Sequence, residues 1–299
     1  MIRGTNWLGA PLDRPCTQPS NVRSVFKSFA ELSEAIHGAL YTLYTPGVAV
    51  TSKGILEVYN KFLHWYEGLT TALRLGENFT PAVLFAHMHY QYSILLLFRP
   101  FLKLNIIGSS VSPRDVCAQA SDAISALVKS YHQLYTLRRT PSFVPYFVLN
   151  ASIAHMATMA SSRAGPEQLR QGLEDLKEMS KCHVIASKAL DILRYLVIHW
   201  EVKGLQEDEA DELRDIKTMC RPRSNSLNQF CPHIERPDVS NSLKPHDDDS
   251  PLFWPFPLQG RPLLDVLQLE ACGFELANEW KIYSTIPVID SKDDGMDMS

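Results

Sequence analysis

From Val22 onward, apolar residues recur at steps of three and four: Val22, Val25, Phe26, Phe29, Leu32, Ile36, Leu40 and Leu43. That spacing predicts a helix with one buried face, closed by Thr45-Pro46-Gly47. A second helix is predicted from Ser52 to Leu75, with Ile55, Leu56, Tyr59, Phe62, Leu63, Tyr66, Leu69 and Leu73 inward. Gly76 stands where a left-handed C-terminal residue belongs. The third stretch, Phe79 to Leu104, reads FTPAVLFAHMHYQYSILLLFRPFLKL and has almost no polar face. Thr80-Pro81 offers an N-cap oxygen followed by proline at the first helical position, and Arg99-Pro100 breaks the far end.

Ser112-Pro113-Arg114-Asp115 repeats this type of start, with Asp115 complementing the helix dipole. The helix that follows is expected to bury Val116, Ala120, Ile124, Leu127, Val128, Tyr131 and Tyr135, and Thr140-Pro141 ends it. A fifth, Pro145 to Ser161, carries Phe147, Val148, Ile153, Ala154 and Ala157. Beyond Gly165-Pro166, one or two more run across Glu167 to Lys203. The last of these presents Ile185, Ala189, Ile192, Leu193, Leu196, Val197 and Trp200. No stretch alternates as a strand does. The class is all-α, with about seven or eight helices in one helical core.

A helix apolar on every side is buried either in a large core or in a bilayer. The bilayer reading fails on Phe79 to Leu104, because His87, His89 and Gln91 interrupt it and polar groups at that density are costly in hydrocarbon. The helix is therefore expected at the centre of a helical domain, with no membrane partner. Around it the chain divides into an irregular lead-in (1–20), a helical domain (21–204), an acidic and polar linker (205–250), an apolar proline-punctuated segment docking back onto the helices (251–282) and an acidic tail (283–299). Leu205 to Asp215 reads as an acidic helix, and the rest of the linker as largely disordered. Across 299 residues, 45% are hydrophobic and 21% charged, enough apolar residue to build such a core.

The net charge of −4 supplies no basic face for phosphates. The N-terminus MIRGTNWLGAPLDRPC lacks the apolar core of a secretory signal. The cysteines at 16, 117, 182, 220, 231 and 272 are scattered singly with no C-x-x-C, which points to reduced thiols and to neither disulfides nor a structural zinc site. His87 and His89 lie two residues apart, so on a helix they face different ways and cannot chelate one ion as an i, i+4 pair does. Cys182 and His183 diverge likewise, and Cys231-Pro232-His233 has no further ligands. No nucleophile elbow, P-loop or dinucleotide fingerprint occurs. No catalytic residue, cofactor site or metal ligand is assigned, and the chain is not expected to be an enzyme. Arg99, after five apolar residues, is read as snorkelling to the surface or capping a buried helix end. A pocket lined by Tyr90, Tyr92 and Arg99 is conceivable.

The run HMHYQYSILLLFRPFLKL resembles the hallmark helix of the middle homology region in fungal zinc-cluster (Zn2Cys6) transcription factors. Ser112 to Ala157 resembles the next two helices of that region, and LFWPFPLQGRPLL (Leu252 to Leu264) a block near its C-terminal end. The hallmark positions here are His89, Tyr90, Arg99, Pro100, Phe101, Trp254, Arg261 and Pro262, all structural. Within the family the likeness is greatest to nitrate-assimilation regulators of filamentous fungi. The resemblance implies a nuclear role in controlling RNA polymerase II transcription. It also implies contact with transcription machinery or regulatory proteins, and a homodimer in the full-length proteins. The family reads DNA through an N-terminal six-cysteine cluster holding two zinc ions. These cysteines lack its spacing, so the expectation is a fragment, truncated form or stand-alone regulatory domain with no zinc of its own and no direct DNA contact. The alternative is a helical protein-interaction scaffold with no transcriptional role.

Overall fold

The computed structural model describes residues 20–158, 166–199 and 269–277. Among them are seven α-helices: α1 Val22–Tyr44, α2 Ser52–Glu67, α3 Pro81–Phe98, α4 Pro113–Leu134, α5 Val144–Thr158, α6 Pro166–Ser180 and α7 Val184–His199. The all-α class read from the sequence is the observed one. The predicted lead-in, linker, acidic helix and tail, and Trp254, Arg261 and Pro262, lie outside the described residues.

Two helices are inner ones. α3 is buried all round, from Val83 and Leu84 to Leu97 and Phe98. α5 is buried as completely, including Phe147, Val148, Leu149, Ala151 and Ile153. Neither has a polar face to turn to water, so each needs neighbours on several sides. α4 and α1 flank α3, α5 lies against α3 and α4, and α6 and α7 cover the outer side of α5. The outer helices are amphipathic, and α4 buries Ala120, Ile124, Leu127, Val128 and Tyr131 as its pattern predicts.

Several local expectations are corrected. α2 stops at Glu67 instead of Leu75, and a short 3₁₀ turn, Thr71–Leu73, returns the chain to α3. Gly76 does adopt φ +100°, but inside that connection and not as a helix cap. Thr80 occupies the N-cap of α3 without a side-chain cap bond; instead its own backbone N–H donates to Asn78 Oδ1 at 2.9 Å. Ser112 does cap α4, accepting from the Asp115 N–H at 3.3 Å. α3 ends at Phe98, and Arg99-Pro100-Phe101 forms a 3₁₀ turn leading out. Val22, Phe26 and Leu40, expected in the core, are exposed by 67%, 77% and 45%.

The described residues also hold one short two-stranded sheet, which the sequence pattern does not announce. Strands β1 (Leu104–Ile106) and β2 (Phe274–Leu276) pair antiparallel, with Asn105 opposite Glu275. Three-residue strands so distant in sequence leave no local alternation to read. Phe274 stacks on Phe101 at 5.1 Å, and Leu269 and Phe274 are buried. The Cys272 carbonyl accepts the Ser52 N–H at 2.9 Å, tying this segment to the start of α2. Gly273 makes the turn at φ +83°, and a Cβ there would land on the Ser52 hydroxyl and 3.1 Å from Ser52 Cβ. Gly273→Ala should therefore cost about 2 kcal/mol, combining the left-handed penalty with the close approach. Urea denaturation checks this. An unchanged midpoint would show that the segment tolerates the side chain.

Candidate functional site

The Arg99-Pro100 break delivers a cation into the protein interior. Arg99 is only 7% exposed, so it does not snorkel. Its Nη1 donates to Asn150 Oδ1 at 2.5 Å, and Asn150 in turn donates through Nδ2 to the Tyr146 carbonyl, at 2.9 Å. Asn150 is the polar residue in the middle of apolar α5, and the guanidinium explains why it is there. Tyr44, at the end of α1, lies beside Arg99 as well. Burial raises the pKa values of Tyr44, Tyr92 and Cys117, and the nearby guanidinium partly opposes that rise in each. Side chains from α1, α3, α4 and α5 thus converge on one buried positive charge. Lys103, just beyond the turn, is also buried, which pulls its pKa down to about 8.

The conceived pocket of Tyr90, Tyr92 and Arg99 does not form. Tyr92 packs on Phe147 at 4.6 Å and Tyr146 at 6.1 Å, on the Arg99 side. Tyr90 faces the other way and stacks on Trp65 at 5.2 Å and Tyr66 at 5.1 Å. Two residues apart on a helix means opposite sides. Of the hallmark residues, Pro100 and Phe101 are buried in the turn, with Phe101 holding Phe274.

The histidines separate in the same way. His87 is buried and its Nε2–H donates to the Leu73 carbonyl at 2.8 Å; burial lowers its pKa. A cavity of about 10 Å³ lies beside it, lined by Val25, Trp65, Leu69, Leu73 and Val83. That is room for about one water molecule, far below what a small-molecule ligand needs. His89 instead sits among the rings of Phe29, Phe85 and Phe147, with centroids 5.1, 6.0 and 5.6 Å away. Burial pushes its pKa down to about 4.

Two polar clusters escape a reading of the sequence. On α4 and α5, the Ser125 hydroxyl lies 3.1 Å from His155 Nε2, and His155 Nδ1 lies 3.7 Å from the half-exposed Asp122 carboxylate. The residue types are those of a nucleophilic triad, but the setting is not. Ser125 is in the middle of α4, where backbone N–H groups are spent on helix bonds and cannot form an oxyanion hole. His155 is 1% exposed and burial lowers its pKa. The second cluster is Asp175 on α6, 3% exposed. It accepts from Gln171 Nε2 at 3.0 Å and lies 3.9 Å from His132 Nδ1. Burial drives its pKa up to about 6. A carboxylate spaced from its neighbours like any surface helix residue carries no pattern that would reveal its burial. Among the described residues, no group of three histidine, cysteine or acidic side chains is placed to hold a metal, and no helix is long and apolar enough to cross a membrane.

What the interior offers is thus architecture: a buried cation that joins four helices. The chain is similar to nitrogen assimilation transcription factor nit-4 of Neurospora crassa, 28% identical over 215 residues, which is 69% of this chain and 20% of that protein. It is likewise similar to nitrogen assimilation transcription factor nirA of Emericella nidulans, 29% identical over 202 residues, covering 64% of this chain and 22% of that protein. The match thus spans about a fifth of each relative's length. No protein-family model and no solved structure matches the chain. The likeness to fungal nitrogen-assimilation regulators drawn from the hallmark helix is the one these relatives display.

Proposed function

We propose that this chain is a regulatory domain of a fungal transcription factor, acting in the nucleus on RNA polymerase II transcription and not as an enzyme. The observation that carries this reading is the paired similarity to two nitrogen assimilation transcription factors, each over about two thirds of the chain. A helical core knit around Arg99 supports it, since such a core holds a defined surface without needing a reaction centre. The domain acts through transcription machinery or regulatory proteins. It makes no sequence-specific contact with DNA itself, because its cysteines lack cluster spacing and its net charge is −4.

A reporter assay tests this. The chain fused to a heterologous DNA-binding domain should change transcription from the cognate promoter, with the change depending on nitrogen source. Purified chain should shift no DNA probe sequence-specifically in a gel. A fusion silent under every nitrogen and carbon condition would sink the transcriptional role and favour a helical interaction scaffold.

A further inference from the structure

Between α4 and α5 the chain reads Leu137-Arg138-Arg139-Thr140-Pro141-Ser142-Phe143. Two of these residues are pinned to the fold. Leu137, in a short 3₁₀ turn with the two arginines, is fully buried. Thr140 is buried too; its hydroxyl donates to the Leu137 carbonyl at 3.4 Å and lies 3.4 Å from His183 Nε2. Arg138 and Arg139, by contrast, are exposed. The Val144 N–H donates to the Pro141 carbonyl at 3.0 Å. That bond closes a turn with Ser142 and Phe143 at its central positions. Both are exposed, Phe143 by 65%.

Burial does not account for Phe143, whose ring only meets the edge of the core at Phe147, 6.5 Å away. A serine with an arginine three positions before it and a large apolar residue directly after it is the charge and shape pattern that basophilic protein kinases select. Among the described residues, Ser142 is the only serine or threonine with an arginine at that spacing. The fold presents the pattern. Thr140 is extended, at φ −79° and ψ 157°, so the stretch from Arg139 to Ser142 begins in the form a kinase cleft accepts. Arg138 is held by Glu178 at 2.6 Å, which leaves Arg139 to meet a kinase's acidic pocket. The same geometry rejects the rival reading of this peptide. Thr140-Pro141 is the dipeptide that proline-directed kinases use, but the threonine is inside the protein.

We propose that Ser142 is a phosphorylation site for a basophilic, ATP-dependent kinase that reads Arg139 and Phe143. The Ser142 oxygen bonds to the γ-phosphorus of ATP, and the bond from that phosphorus to the β,γ-bridging oxygen breaks. ADP leaves, and the hydroxyl proton passes to the kinase's catalytic aspartate. The phosphate brings up to about two negative charges to the turn that opens α5. An aromatic protrusion flanked by cations thereby becomes an anionic surface, a change of the kind that makes or breaks a docking contact. The inference stands apart from the transcriptional reading, because the phosphate is detected on the protein itself.

The test incubates the purified full chain with ATP, Mg²⁺ and an activated calmodulin-dependent protein kinase, which selects arginine three residues before its serine. Mass spectrometry maps the phosphate. The expected result is phosphate on Ser142 of the folded chain. Arg139→Ala should slow its addition at least about tenfold with circular dichroism unchanged, and Arg138→Ala by less than about threefold. Absence of phosphate at Ser142 overturns the assignment. So does phosphate confined to Thr17, Ser224 or Ser226, which also follow an arginine at that spacing. Labelling as fast in Arg139→Ala as in the parent overturns it too, as does labelling of a free peptide of residues 134–147 but not of the folded chain.

Discussion

Asn150→Leu is expected to destabilise the protein by about 3 kcal/mol, well beyond the loss of an ordinary hydrogen bond. The leucine fits a helix that is apolar on every side, so propensity and packing alone would predict little change. The cost comes from Arg99. Its guanidinium is buried and gives one donor to Asn150 Oδ1. Removing the acceptor takes a hydrogen bond away from a desolvated cation, which is far worse than losing one at the surface. The Tyr146 carbonyl loses the Asn150 amide as well. Asn150→Asp is the informative control. It keeps an oxygen in place and adds a countercharge, so it should lie within about 1 kcal/mol of the parent. Combining Arg99→Met with Asn150→Leu removes both charge and acceptor, and should cost less than the two single changes added together. Urea midpoints of the parent and these variants decide the matter. If Asn150→Leu costs under about 1 kcal/mol, the Tyr44 contact already satisfies the guanidinium, and Asn150 is incidental.

Why the sequence shows some of this and hides the rest follows from what periodicity measures. The helical period of α3 and the proline at its end are local, and both are where the pattern puts them. α1 shows the limit. Its apolar residues fall on two stripes, and spacing by three and four describes either, so the pattern sends Phe26 and Leu40 to the core with Leu32 and Leu43. Only the neighbouring helices determine which stripe is covered. A cue for Asn150 does exist: it sits in VPYFVLNASIAHMA, where no polar face exists for it to occupy, so it has to be buried and bonded. Arg99 offers the complementary half, a charge embedded after an apolar run. Nothing in a one-dimensional pattern joins the two, because 51 residues separate them. The β1–β2 pairing is hidden for the same reason, and so is Asp175, whose burial depends on how α6 lies against its neighbours.

Acidification should destabilise the protein through its buried and half-buried histidines, and the half-buried His89 gives the clearest case. Its folded pKa is about 4 against an ordinary 6.5. Between those values the unfolded chain binds a proton that the folded one refuses, so stability falls as pH drops. The loss, most of it in place by about pH 4 and complete below that, is about 3 kcal/mol at 1.36 kcal/mol per pKa unit. The faces of Phe29, Phe85 and Phe147 would attract an imidazolium, but that gain, roughly 0.5–1 kcal/mol for a cation on a ring, is smaller than the burial cost. His87 and His155 are lowered by the same cause and act in the same direction. Asp175 runs the other way. Its pKa is raised from 3.8 to about 6, so it weakens the fold at neutral pH and that penalty disappears on acidification. The observed slope is the difference, and substitution separates the terms. His89→Phe conserves the aromatic setting and should flatten the decline between pH 6.5 and 4. Asp175→Asn should raise stability at pH 7 by about 2 kcal/mol and steepen the acid loss. Urea midpoints at about pH 7, 5.5 and 4.5 distinguish these outcomes. An unchanged acid slope in His89→Phe would mean that the ring is solvated enough to titrate normally, and that the aromatic cluster around it is open to water.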